Sequence, residues 1–92
     1  MIKSFAHKGL EDFHKTGSKK GIIPDHSQKL DFILDRLEAA TIPKDMNLPG
    51  FSLHQLQGKE KETWSVKVNG NWRVTFVFQG EDVIVVDYRD YH

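Results

Sequence analysis

Cysteine is absent from this 92-residue sequence, which excludes disulfide bonds, thiolate chemistry and cysteine-based zinc sites together. Long apolar runs are missing as well. No stretch approaches the roughly 20 apolar residues of a membrane helix, and Lys3 and Lys8 interrupt the first residues of the chain. We therefore expect neither a signal peptide nor a membrane partner, and we expect a cytoplasmic protein. At this length, residues 1–92 predict a single domain.

Charge of one sign is not in excess either. Thirteen Lys and Arg residues balance 13 Asp and Glu residues, so the formal net charge is zero. Bulk charge therefore cannot hold a polyanion such as a nucleic acid, and individually positioned cations must bind it. Hydrophobic residues form 38% of the chain and aromatic residues 11%, which is enough for a packed core without cross-links.

The order of the hydrophobic patterns predicts a compact α+β domain. Residues 2–5 indicate a short first strand, and residues 8–15 and 25–40 carry apolar side chains at helical spacing. Residues 41–50 lack periodicity and form a connector. Four short strands rich in Val, Thr and aromatic residues follow, separated by turns that contain Gly, at 52–56, 64–68, 72–78 and 83–88.

A hairpin register follows from the alternation of side chains in the second and third of these four strands. A three-residue loop, Asn69-Gly70-Asn71, sets apolar residues opposite one another, in the pairs Val68–Trp72, Val66–Val74 and Trp64–Phe76. This register assigns both tryptophans to the core and not to a base-stacking surface. It also predicts a second, cationic face that carries Lys67, Arg73 and Thr75.

Five polar residues of the strands and of the end of the sequence form a set suited to cleaving RNA without a metal: His54, Arg73, Asp90, Tyr91 and His92. In that reaction the 2′-hydroxyl loses a proton, the leaving 5′-oxygen gains one, and the charge on the phosphorane is stabilised. Imidazoles and carboxylates can transfer the protons. Arginine can bind the phosphate through two parallel hydrogen bonds. Neighbouring carboxylates favour the protonated ring of His92, which makes it a candidate general acid.

Each of these residues also has a structural interpretation, which stays open at this point. Arg73 could be a surface arginine stacked on a neighbour, His54 a half-buried structural histidine, and residues 90–92 a frayed end. Residues 59–62, Lys-Glu-Lys-Glu, are interpreted as a solvated loop. The five histidines lack the short spacing of a metal site, and no Gly-rich phosphate loop or Gly-x-Ser-x-Gly motif occurs. We expect no metal and no cofactor.

Several longer motifs resemble a known family. They are Met-Ile-Lys-Ser-Phe at 1–5, Leu-His-x-Leu-x-Gly at 53–58, Trp-Ser-Val-x-Val at 64–68, Asn-Trp-Arg-Val-Thr-Phe at 71–76 and Asp-Tyr-His at 90–92. Through them the chain resembles, nearly end to end, the HigB toxins of the RelE superfamily. The resemblance implies a RelE-like fold, in which a short N-terminal strand and two helices pack on a mainly antiparallel, curved sheet.

The resemblance also implies a function. It is that of a toxin from a type II toxin–antitoxin system, acting as a ribosome-dependent mRNA endonuclease. The implied partners are the 70S ribosome, mRNA and a HigA-like helix-turn-helix antitoxin, with no small-molecule cofactor. Two other functions remain open on the same scaffold. One is a ParE-like inhibitor of DNA gyrase that cuts nothing, and the other is an inactive homologue that only binds the antitoxin.

For the positions that match, the resemblance implies catalytic or RNA-binding roles at His54, Arg73, Asp90, Tyr91 and His92. The expected substrate-binding positions are Gln57, Lys59 and Lys67. Gln57 departs from the family pattern, because members often carry a lysine there. A cation is therefore missing, and Lys59 in the adjacent loop is a candidate replacement. Cleavage that depends more strongly on the ribosome is one expected consequence.

Overall fold

The computed structural model describes residues 1–91, and His92 lies outside the described residues. Two helices precede a four-stranded antiparallel sheet, so the predicted α+β class is confirmed. The helices are α1, Lys8–Thr16, and α2, Ser27–Ala39. The strands are β1, His54–Gln55, β2, Thr63–Asn69, β3, Trp72–Gln79, and β4, Asp82–Asp90. Short 3-10 turns lie at Pro24–His26, Pro43–Met46 and Gly58–Glu60.

The residues that flank the helices set their ends. The His7 ring accepts a hydrogen bond at Nδ1 from the Leu10 N–H, at 2.9 Å, and so satisfies one of the free donors in the first turn of α1. Gly17 adopts a φ of +80° and donates from its N–H to the Phe13 oxygen, which closes the other end. Pro24 opens a 3-10 turn before α2, where its fixed φ and missing N–H cause no loss.

The two helices cover one face of the sheet. The buried side chains of this core repeat at helical spacing in α2 and alternate along the strands: Leu30, Ile33, Leu34 and Leu37 from α2, and Val66, Val74, Phe76, Val83, Val86 and Tyr88 from the sheet. Met46 and Phe51 add to the core from the segment between α2 and β1. Trp64 and Trp72 pack against this cluster, which confirms their assignment to the core face.

The N-terminal segment lies along the outer edge of β4. Residues 2–5 were expected to form a strand, but they pair with β4 only through two isolated parallel bridges, Ile2–Val83 and Phe5–Val86. Hydrogen bonds link this segment to β4 between backbone atoms in both directions, at 2.7 to 3.1 Å. The segment therefore covers an edge that would otherwise leave backbone groups unpaired.

The register of the β2–β3 hairpin agrees with the sequence-based prediction over most of its length. Val66 pairs with Val74, and Trp64 pairs with Phe76. The predicted Val68–Trp72 pair is wrong, because Asn69 is the partner of Trp72 and the register shifts between residues 67 and 69. The bulge adds one residue to β2 just before the turn, and a bulge increases the local twist of the strand.

The pairing of β3 with β4 shifts at a second bulge. Val85 lies at this bulge and adopts a left-handed φ of +55°. On the turn side of the bulge Val77 pairs with Ile84, and beyond it Arg73 pairs with Arg89. Because direct partners in an antiparallel pair project from the same face, the extra residue places Arg89 on the face opposite the core.

Candidate active site

The sheet face opposite the helices, called the polar face below, carries two rows of polar side chains that run across the strands. The register places His54, Ser65, Thr75 and Asp87 in the first row, and Lys67, Arg73 and Arg89 in the second. Strands lie about 4.8 Å apart, and successive residues on one face of a strand lie about 7 Å apart. The Cα atoms of His54 and Arg73 are therefore about 12 Å apart. Side chains of this length can approach one ligand from two sides.

His54 is exposed on β1, at the edge of the polar face. Its Nδ1 lies 3.2 Å from the Ser52 carbonyl oxygen, which can only accept a hydrogen bond. The ring therefore carries its hydrogen on Nδ1 in the neutral form, and the lone pair on Nε2 is left to accept a proton. The structural interpretation as a half-buried histidine is wrong, and the geometry suits a general base.

Arg73 lies on β3 between the other two cations of its row, and its side chain is partly buried. Its Nη1 is buried and has no hydrogen-bond partner among residues 1–91. Two hydroxyl oxygens of the first row, Ser65 Oγ and Thr75 Oγ1, are in the same state. Buried polar atoms without partners are rare in folded proteins, and here three of them belong to one surface.

The prediction of a cationic second face needs correction. Thr75 is fully buried, and so is its partner Ser65. Carboxylates are also present, because Glu60 forms an ion pair with Arg89 at 2.9 Å. Glu60 precedes β2 and Arg89 lies on β4, so this pair crosses β3, the strand that carries Thr75. Residues 59–62 are exposed, as expected for a solvated loop, and Glu60 adds an ion pair that the sequence does not predict.

On the polar face, Arg89 contacts three other side chains within residues 1–91. Its Nε donates to Asp87 Oδ2 at 3.0 Å, and its Nη1 donates to Glu60 at 2.9 Å and to the Tyr91 hydroxyl oxygen at 3.0 Å. Partial burial disfavours the charge, but the hydrogen bonds to Asp87, Glu60 and Tyr91 outweigh it and raise the pKa of Arg89 above its ordinary value. Arg89 is therefore a fixed cation that also orients the Tyr91 phenol.

The end of β4 distributes the predicted tail residues between the two faces. Tyr91 N–H donates to the Asn71 oxygen at 2.8 Å, which continues the pairing of β4 beyond its last residue and keeps Tyr91 on the polar face. Asp90 is exposed and is the partner of Trp72, so it projects from the helix-covered side at the end of the strand. His92, the third predicted tail residue, lies outside the described residues.

The expected substrate-binding residues border this surface. Lys67 is exposed and is the partner of Arg73 on β2. Gln57 and Lys59 are exposed in the segment between β1 and β2, next to Glu60. Within residues 1–91, no group of three or more His, Asp or Glu side chains is placed to hold a metal ion. The polar face thus joins His54, Arg73 and Tyr91, whereas Asp90 projects from the other side of the sheet at the end of β4.

Comparison with known proteins identifies the family to which this fold and surface belong. A family model of the RelE-like HigB toxins of type II toxin–antitoxin systems matches residues 3–92. The chain belongs to this family. It is 41% identical to the Endoribonuclease HigB of Proteus vulgaris over 95 aligned positions that cover all of both chains. It is 30% identical to Toxin HigB-1 of Vibrio cholerae serotype O1, over all of this chain and 98% of the relative.

Membership in a toxin–antitoxin family implies an antitoxin partner for this HigB-like toxin. None of the helices within residues 1–91 is long and apolar enough to cross a membrane. The structure adds three polar-face residues that sequence reasoning did not single out, namely Glu60, Asp87 and Arg89. The signal for the last two was their spacing of two residues, which puts them on one face of a strand. No sequence pattern links Glu60 to them.

Proposed function

We propose that the protein is a ribosome-dependent endoribonuclease that cleaves mRNA by metal-independent acid–base chemistry. The observation that carries the proposal is the combination of His54, Arg73 and Tyr91 on one sheet face, where the buried Nη1 of Arg73 has no hydrogen-bond partner among residues 1–91. The 41% identity to a protein named Endoribonuclease HigB supports it. The site is a toxin's active site, and a HigA-like helix-turn-helix antitoxin is the proposed partner that neutralises it.

In this mechanism a 2′-hydroxyl attacks the adjacent phosphorus. His54 Nε2 accepts the hydroxyl proton, since Nδ1 faces a carbonyl oxygen. Arg73 donates hydrogen bonds to the non-bridging oxygens, where negative charge grows in the transition state. The proton for the 5′-oxygen comes from Tyr91 or His92 as the bond to phosphorus breaks, and the Asp90 carboxylate stabilises the protonated ring of His92. The products are a 2′,3′-cyclic phosphate and a 5′-hydroxyl, so the atoms balance without water or a metal ion.

The ribosome contributes what the polar face lacks. Gln57 supplies no positive charge, Lys59 and Lys67 are exposed side chains without a fixed partner among residues 1–91, and the net charge of the protein is zero. A free mRNA strand is therefore bound weakly, because phosphate contacts provide most of the affinity for RNA. Binding in the ribosome holds the strand against the polar face and supplies the missing orientation.

The test compares the wild type with Arg73→Ala and His92→Gln after induction in growing cells. The wild type stops growth and cuts transcripts inside translated codons, leaving 5′-hydroxyl ends that are ligated only after phosphorylation. Both variants lose most of this cleavage, whereas Lys20→Ala, which removes an exposed cation from the turn after α1, keeps it. Co-expression with a HigA-like helix-turn-helix antitoxin restores growth. Intact mRNA accompanied by DNA damage signalling would instead indicate a ParE-like inhibitor of gyrase.

A further inference from the structure

The strongest unassigned feature of the polar face is the second arginine of its cationic row. We propose that the Arg89 guanidinium is a phosphate-binding site for the RNA strand, and that the Glu60 carboxylate occupies this site in the free protein. RNA must then displace Glu60 to bind fully. The inference rests on the proposed function, because it names a second contact of the same site with its substrate.

The position of Arg89 suits a second phosphate. Arg89 is the direct partner of Arg73 in the β3–β4 register, so both guanidinium groups arise from neighbouring positions on one face. The Nη1 of Arg89 also binds the Tyr91 hydroxyl at 3.0 Å, which connects it to the tail residues of the site. A carboxylate and a phosphodiester each offer two oxygens to a guanidinium fork, so one can replace the other.

The two carboxylates on Arg89 are held very differently. Asp87 is two residues away on the same strand, its side chain is 23% exposed, and its Oδ1 also accepts the Tyr88 N–H at 2.9 Å. Glu60 lies in a short turn of exposed residues, and its side chain is 49% exposed. Exposed ion pairs shift an equilibrium by a factor of roughly 1.4 to 5. Asp87 is therefore part of the framework, and Glu60 is the anion that can leave.

Occupation of Arg89 by Glu60 weakens RNA binding to the polar face in the free protein. With Glu60 in place, two carboxylates surround one guanidinium, and the local charge repels an incoming phosphate. When Glu60 moves away, Lys67, Arg73 and Arg89 form a row of three cations across the sheet.

The experiment compares Glu60→Gln with Glu62→Gln, an exposed residue two positions further along the chain. Both variants raise the net charge by one, so any difference between them reports the site and not the bulk field. The probe is a short single-stranded RNA with 2′-O-methyl groups, which cannot be cleaved. We expect Glu60→Gln to bind it about 2- to 5-fold more tightly than Glu62→Gln. The RNA affinity of Glu60→Gln also falls more steeply with salt, because one more phosphate is neutralised. The slope of the logarithm of the binding constant against the logarithm of the salt concentration steepens by roughly 0.7.

A second measurement locates the effect. The method is NMR spectroscopy that resolves the Nε–H groups of arginine. Inorganic phosphate shifts the Arg89 signal of Glu60→Gln at lower phosphate concentrations than it does in the wild type or in Glu62→Gln. Equal RNA affinities and equal salt slopes for the two variants, with no difference at Arg89, would overturn the inference. Cleavage of transcripts by the wild type is scored separately. If the wild type does not cleave transcripts, the proposed function is overturned while the Arg89 site stands. If it does cleave them and the two variants bind RNA equally, the Arg89 site alone is overturned.

Discussion

The carboxylate of Glu38 joins three parts of the fold, and its replacement gives a prediction that can be worked out from the contacts. Oε1 accepts the Ile2 N–H at 2.8 Å, and Oε2 lies 2.6 Å from His14 Nε2 on α1. The N-terminal segment that covers the edge of β4 is therefore attached to both helices through this one side chain. Glu38→Gln removes the charge and keeps the shape.

The expected loss follows from two hydrogen bonds to a charged group. Each contributes about 1.5 to 3 kcal/mol. The Glu38 side chain is 38% exposed, so solvent screening reduces these values by roughly half. Because the amide oxygen of glutamine can still accept from Ile2, we expect a net loss of about 1.5 kcal/mol in the free energy of unfolding. For a domain of this size, that lowers Tm by about 6 to 12 °C.

The pH dependence tests the physical origin of this loss. Partial burial acts to raise the pKa of Glu38, but hydrogen bonds from Ile2 and His14 outweigh it and lower the pKa below the ordinary value of 4.5. A carboxylate whose pKa is lowered on folding stabilises the fold above its unfolded pKa and loses that contribution as the pH falls through the folded pKa. The difference in the free energy of unfolding between the wild type and Glu38→Gln is therefore largest at neutral pH and shrinks below about pH 4.5.

Urea unfolding at pH 7 and pH 3.5, followed by circular dichroism, measures both quantities. Asp35→Asn is the matched control, because Asp35 is an exposed carboxylate on the same helix. The control should unfold close to the wild type at both pH values. A Glu38→Gln penalty that is the same at pH 3.5 as at pH 7, or one no larger than that of Asp35→Asn, would refute the reasoning.

Three further substitutions probe other features. A Cβ on Gly9 would lie 2.4 Å from the Gly21 oxygen, so Gly9→Ala should lower the free energy of unfolding by about 1 to 3 kcal/mol in urea, and an unchanged midpoint would contradict the close backbone approach. Val85 is 44% exposed at a φ of +55°. Because this conformation costs a residue about 1 to 2 kcal/mol and asparagine tolerates it, Val85→Asn should be neutral or stabilise by up to about 1 kcal/mol, and a larger loss would show that Val85 packing matters more. Arg73→Lys should slow cleavage of ribosome-bound mRNA by about 100-fold or more, as expected for a lost transition-state donor. Lys67→Ala should slow it less than tenfold, so equal losses would argue against a special role for the guanidinium.

The sequence predicts the part of the sheet in which alternation is unbroken. In the β2–β3 hairpin, apolar side chains alternate regularly, and this pattern by itself places Arg73 opposite the core. The same reasoning fails for β4. Counting from the Gly80 turn would pair Arg73 with Tyr88, since Gln79 pairs with Asp82. The bulge at Val85 changes that partner to Arg89, and valine is a residue type that does not indicate a left-handed conformation.

The site residues follow the same division. His54 and Arg73 belong to regular pairs, so their shared face can be predicted from the strands. The Glu60–Arg89 pair cannot, because it joins a turn to a strand 29 positions later across an intervening strand. Alternation also separates Asp90 from Tyr91, although the two are adjacent in the Asp-Tyr-His motif. The motif therefore groups two residues that the strand directs to opposite sides of the sheet.

The bulge at Val85 explains how one strand can serve both the core and the polar face. The one-residue shift in the pairing with β3 inverts the faces of β4 relative to simple counting from the turn, so Tyr88 moves under the helices, where it is buried, while Arg89 moves beside Arg73. Neither placement is possible without the other, because both residues lie beyond the bulge on the same strand. The strain at Val85 is therefore offset by core burial as well as by the polar face. A substitution that removed the bulge would lose both placements at once, so the stability of the core and the composition of the polar face are coupled through the backbone of Val85.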